Sequence, residues 1–206
     1  MAGKRAQAPD STRRSYHHGE LRDALVRKAS EMVADKGVDR FRLREAVRSL
    51  GVDIASAYHH FKNRDALLGA VADDALAQLT TALERACACH AHPGDQLRAL
   101  NRGYVRFAKR QPHLFRLVFS PLGIGPQTQP TDVDTVPPPG RVFMEVIDRC
   151  AEVGLTARSS VDCGLLPWTG VHGLASLVAD GVVPSKTAKQ HVDEMTDGIL
   201  RSLRLD

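Results

Sequence analysis

Two groups of residues could carry chemistry by type and spacing. Cys87, Cys89, His90 and His92 place two thiols and two imidazoles within six positions. Cys87 and His90 are three apart and can share a helix face, as two ligands of one metal ion would. Tetrahedral zinc sites usually draw on two separated pairs at wider spacing. The plainer reading is a helix end with buried cysteine and exposed histidine, so no metal or other cofactor is expected. The second group is basic. Residues 1–64 hold fourteen Lys+Arg against eight Asp+Glu, a net of +6, whereas residues 65–206 carry a net of −2. A basic head on a near-neutral body suits an anionic partner. A solvated helix surface would show the same excess.

Enzyme signatures are missing from the sequence. It has no P-loop, no GxSxG and no HExxH. Gly123-Ile124-Gly125 lacks the third glycine and following helix of a dinucleotide fingerprint. An enzyme is therefore not expected. The 206 residues are 43% hydrophobic and 25% charged, with ten aromatic residues, which describes an ordinary folded chain. Ala (25) and Leu (22) dominate, and both favour helix, so the fold class expected is all-α. No stretch approaches eighteen apolar residues without a charge, so no membrane span is expected. The N-terminus lacks the apolar segment of a signal peptide. With four cysteines, this points to reduced thiols in a cytoplasmic setting.

The elements that must position these residues follow from periodicity. Residues 1–15 read as a flexible basic arm carrying Arg13 and Arg14. Leu21, Leu25, Ala29, Met32 and Val33 mark one face of a first helix that ends at Gly37. A short helix over 43–50 stops at Gly51, and Asp53 caps another over 54–60. Helix, turn with glycine and helix give the outline of a helix-turn-helix over residues 43–60. Asn63 caps a long helix running to about Cys89, with Leu68, Val71, Ala72, Ala75, Leu79 and Leu83 on its apolar stripe. Asp95 is read as the next cap, and a short helix follows Pro112. Residues 121–140 hold six prolines and three glycines and read as a loop open to disorder. Helices over 142–154, 160–179 (kinked by Pro167) and 185–203 bring the count to about nine. The domains expected are a head over 16–64 and a body over 65–206.

The stretch from Tyr16 to Leu68 resembles the N-terminal domain of TetR-type (TetR/AcrR) transcriptional regulators. The likeness rests on His18-Gly19-Glu20-Leu21-Arg22, Leu43-Arg44-Glu45, Gly51-Val52-Asp53 and Tyr58-His59-His60-Phe61-Lys62-Asn63-Arg64. Phe107, Pro112, the run Leu114–Phe119, and Trp168 with His172-Gly173 resemble the WHG-type C-terminal domain of one branch. This resemblance implies an all-α fold in which a three-helix head is joined by a long helix to a helical bundle. It also implies a ligand-responsive regulator, a repressor, binding a pseudopalindromic double-stranded DNA operator as a homodimer.

In a helix-turn-helix the second helix enters the major groove with its N-terminal residues against base edges, here Ile54, Ala55 and Ser56. Tyr58, His60, Lys62 and Arg64 are suitable phosphate donors. By family position Arg44 would reach guanine O6 and N7. Arg13 and Arg14 would follow the backbone or enter the minor groove. Three departures stand out. Arg42 sits where a Ser or Thr cap is frequent, Ile54 where a polar side chain is common, and His59 where Arg or Trp recurs. Specificity is therefore expected to lean on Arg44, Ser56 and DNA shape.

In the body, Tyr104, Phe107, Phe115, Phe119, Phe143, Ile147 and Trp168 read either as bundle core or as the lining of a cavity for a small apolar effector. His172 is either a polar group in that cavity or a satisfied core histidine. Gly164, Gly170 and Gly173 suggest close helix packing. Val192, Met195, Ile199 and Leu203 form a stripe on the last helix. Either it packs within the chain or, as the resemblance implies, it lies in a four-helix dimer interface. A metal or redox sensor using Cys87, Cys89 and His90 would keep the head and change only the signal.

Overall fold

A sequence rich in Ala and Leu with 3.6-residue apolar spacing leaves little else for the backbone to do than form helices. The computed structural model describes residues 18–124, 136–163 and 166–204. The arm with Arg13 and Arg14, and residues 125–135 of the proline-rich stretch, lie outside the described residues. Those described form ten helices and no strand: α1 His18–Lys36, α2 Leu43–Ser49, α3 Ile54–His60, α4 Arg64–Ala88, α5 Pro93–Arg110, α6 Pro112–Val118, α7 Pro138–Glu152, α8 Ser160–Cys163, α9 Leu166–Ala179 and α10 Ala188–Ser202.

The head is α1–α3 closed on the first half of α4. Leu21, Leu25, Ala29 and Val33 of α1 meet Ala46 and Val47 of α2, Ala57 of α3, and Leu67, Leu68 and Val71 of α4. Each large aliphatic side chain buried there contributes about 1.5–3 kcal/mol of transfer free energy. Gly37 ends α1 with φ +78°, a conformation that suits glycine. A Cβ there would also press to 3.1 Å from His113 Nδ1, so the position is doubly restricted. Gly51, φ +69°, turns the chain between α2 and α3.

The body is arranged around α5, which packs on α4, α6, α7, α9 and α10. Its residues Leu97, Leu100, Tyr104, Phe107 and Ala108 are buried at helical spacing. The α10 helix is pinned to α5 by polar contacts. Asn101 Nδ2 donates to Thr196 Oγ1 at 2.9 Å, Arg98 pairs with Asp197 at 2.7 Å, and Arg102 forks onto both carboxylate oxygens of Asp193 at 2.7 and 2.6 Å. The α4 helix serves both cores. It is also long and apolar enough to cross a membrane by length and composition. Its stripe is occupied by α1, α5, α6 and α7.

Several boundaries differ from the sequence reading, and the reasons are local. Asp95 is not a cap. The helix starts three residues earlier, at Pro93, whose missing N–H suits a first turn, and His92 Nδ1 accepts from Gly94 N at 3.2 Å. Likewise α7 begins at Pro138 inside the stretch read as loop. Residues 164–165 of the helix expected over 160–179 lie outside the described residues, and α8 and α9 are described on either side of them. With α8 and α9 described separately, the described residues hold ten helical segments where about nine helices were expected.

Candidate functional site

The helix-turn-helix is set by its caps and one small residue. Asp53 accepts from Ala55 N at 3.1 Å and starts α3. Asn63 accepts from Ala66 N at 2.8 Å and starts α4. Ala57, fully buried, lets α3 approach the rest of the head closely. The opposite side of α3 then faces solvent: Ala55, Tyr58 and His59 are exposed, and Ser56 and His60 half-buried. Tyr58 is 50% exposed, an open position for an aromatic ring. Arg44 on α2 and Lys62 just beyond α3 are also exposed.

Three of the expected contact residues are committed elsewhere. Ile54 is half-buried and packs against the head core. Arg42 gives α2 no side-chain cap, as its type predicts. Its guanidinium turns back to the Asp39 and Phe41 carbonyls at 2.7 and 3.0 Å. Arg64 donates to the Val38 and Phe41 carbonyls. Phe61 is 4% exposed, within the head core, and lies under the Arg22 guanidinium at 5.4 Å.

In the body the predicted rings do come together. Tyr104 lies edge-on to Phe115 and Phe143, each at 5.8 Å between centroids. Phe119 contacts Phe115 at 4.9 Å and His172 at 4.5 Å, and Trp168 lies 4.9 Å from His172. Phe107 and Ile147 are buried in the same core. The polar atoms satisfy one another. Trp168 Nε1 donates to the Tyr104 hydroxyl at 3.3 Å. That hydroxyl lies 2.9 Å from His172 Nδ1, which is assigned as acceptor because burial lowers the imidazole pKa and favours the neutral ring. Burial also raises the Tyr104 phenol well above its ordinary range, partly opposed by the Trp168 hydrogen bond. So the cluster is a packed, internally paired core. A cavity of about 580 Å³ lies elsewhere, between α4, α5 and α7, lined by Glu84, Cys87, Gln96, Arg141, Val142 and Arg149.

The Cys/His cluster disperses. Cys87 is buried, whereas Cys89, His90 and His92 are exposed. Cys89 Sγ donates to the Arg85 carbonyl at 3.3 Å, and the His92 ring is used as a cap. Among the described residues no three His, Cys, Asp or Glu side chains gather as a metal requires. Burial raises the Cys87 thiol pKa and holds Cys150 up at about 11, which favours the unreactive thiol.

The last-helix stripe is covered within the chain. Val192, Ile199 and Leu203 are 1%, 8% and 2% exposed, and Met195 is partly buried. Gly170 does permit close packing, since a Cβ there would meet Ile199 and Met195 of α10, whereas Gly173 faces open space. Gly164 lies outside the described residues. What the sequence reading missed is an outward apolar face on α9, with Leu166 and Leu177 at 52% and 44% exposed and Gly173 between them. The signal was available: Leu166–Ala179 contains no charged residue.

This chain matches two family descriptions. Residues 25–71 match "Bacterial regulatory proteins, tetR family", and residues 97–203 match "Tetracyclin repressor-like, C-terminal domain". The second match does not assign the WHG branch. A solved structure of a protein with unknown function from Rhodococcus sp. RHA1 is 28% identical, with a TM-score of 0.77 over 94% of this chain and 100% of that one. A TetR-family transcriptional regulator from Pectobacterium atrosepticum is 18% identical, with a TM-score of 0.69 over 92% of this chain and 96% of that one. One from Thermus thermophilus is 22% identical, with a TM-score of 0.61 over 90% of this chain and 98% of that one. The last two speak for the fold alone. Regulators of this kind bind DNA and are not enzymes. With the C-terminal match alone spanning more than half of the 206 residues, the chain belongs to the TetR family of bacterial transcriptional regulators.

Proposed function

We propose that this regulator is a homodimeric repressor that binds a pseudopalindromic operator and is released by a small apolar effector. The observation that carries the DNA reading is the surface of α2 and α3, where Arg44, Ala55, Tyr58, His59 and Lys62 are exposed around an otherwise buried small core. Arg44 and Ser56 read base edges, Ala55 meets thymine methyls, and Tyr58, His59, His60 and Lys62 hold phosphates. Arg13 and Arg14 contribute from the arm. The dimer forms through the uncharged face of α9, with Leu166 and Leu177 flanking Gly173, instead of the α10 stripe that is already covered. Two heads then read half-sites about 34–36 Å apart, or a multiple of that.

The effector reading rests on α6. Phe115 lies in the body core, while Leu114, Leu117 and Val118 of the same helix lie in the head core, and Phe119 packs on both. An apolar molecule that parts Phe115 and Phe119 from Trp168 and His172 would move α6 against α1. Release requires that the effector and the DNA prefer different positions of α6. Selection from a random duplex pool tests the proposal. An inverted repeat bound by two protomers is expected. A site without two-fold symmetry, bound by one protomer, contradicts the dimeric reading.

A further inference from the structure

The turn between α1 and α2 holds carbonyls that no helix satisfies, and two guanidiniums take them. Arg42 serves Asp39 and Phe41 from one side. Arg64, the first residue of α4, reaches back from the other. Its Nη2 donates to the Val38 carbonyl at 2.5 Å and its Nε to the Phe41 carbonyl at 3.4 Å. Its Nη1 pairs with Asp65 at 3.2 Å, and the guanidinium lies 5.9 Å from the centre of the Phe41 ring. All three nitrogens therefore have protein partners. Phe41 is itself fully buried and stands two residues before α2.

We propose that Arg64 is a positioning residue for DNA recognition and not a phosphate contact. It fastens the first turn of α4 to the α1–α2 turn, and so fixes where α2 and α3 stand relative to the helix that leads into the body. A phosphate contact would require it to give up its bonds to the Val38 and Phe41 carbonyls and its place over the Phe41 ring. Lysine cannot replace it here, because a point ammonium has neither the planar fork nor the stacking face. This inference rests on the DNA-reading role of α2 and α3.

The test compares wild type, R64K and R64A on two duplexes of equal length across a salt series. One duplex is that selected from a random pool by the wild type, and the other has random sequence. Active fractions fixed by stoichiometric titration keep partial unfolding from counting as lost affinity. Positioning predicts that R64K loses about tenfold or more on the selected duplex, stays within about twofold on the random one, and keeps the wild-type salt slope there. A phosphate contact predicts that R64K behaves as wild type. It also predicts that R64A weakens equally on both duplexes, with the slope reduced by about 0.9. That pattern, or no loss with either variant, overturns the proposal. A wild type that selects no duplex overturns the underlying recognition reading instead.

Discussion

In the head, Tyr58 and several basic side chains stand outside a core that Phe41 and Phe61 share with aliphatic residues, whereas in the body a cluster of aromatic side chains fills the core. Tyr58 and Tyr104 show the contrast. Tyr58 is half exposed near the end of a seven-residue helix. Tyr104 has no exposed surface, with its hydroxyl satisfied by Trp168 and placed against His172. Both were candidate binding residues by type. On α3 an aromatic ring stays exposed because a small neighbour fills the core in its place. Ala57 does that beside Tyr58. No such neighbour replaces Tyr104, which is itself the ring that Phe115, Phe143 and His172 pack against.

The largest expected effect breaks the body. Tyr104→Ala should lower unfolding free energy by about 3–5 kcal/mol in a urea titration. Tyr58→Ala should leave it within about 0.5 kcal/mol and act on DNA affinity alone. A Tyr104→Ala protein of wild-type stability would show that the cluster is a cavity and not a core. Next comes Arg44→Ala, which should cost about 1–3 kcal/mol of discrimination at one base pair of the selected duplex. Uniform weakening across sequences would make Arg44 a phosphate contact instead. Removing a cap is smaller: Asp53→Ala should cost about 0.5–2 kcal/mol of head stability, read by hydrogen exchange in α3.

The smallest effect is a pH dependence in the body. Burial lowers the His172 pKa in the fold, so the unfolded chain takes up the proton first. Stability contributed by the neutral ring is present above the ordinary value of 6.5 and is lost as pH falls below it. His172→Gln should flatten melting temperature against pH in that window. An unchanged slope would assign the dependence to another group.

Legibility in the sequence follows how local each cause is. The apolar stripes of α1 and α4 are set by spacing along one helix, and they fall where periodicity places them. The Asp53 and Asn63 caps are equally local. The Arg64 fork spans 23 and 26 positions and depends on how α4 meets α1, which no spacing along the chain encodes. The same holds for α10, which Arg98, Asn101 and Arg102 of α5 hold at a distance of more than ninety positions. Arg116 is another case. It ties α6 to the end of α9 through the Ala179 carbonyl and Asp180, with no trace in either local sequence. Proline is easily misread because its effect depends on its position in the helix. At Pro93 and Pro138 it starts a helix where the sequence reading has a later cap or a loop.

The most direct test of the account joins Arg44→Ala, Tyr58→Ala and Lys62→Ala in one protein and measures its affinity for the selected duplex beside its melting temperature. All three side chains are exposed, so the account predicts a melting temperature close to wild type with preference for the selected over a random duplex abolished. A triple variant that still prefers the selected duplex as strongly as wild type would contradict it, and DNA reading would have to be sought on another surface.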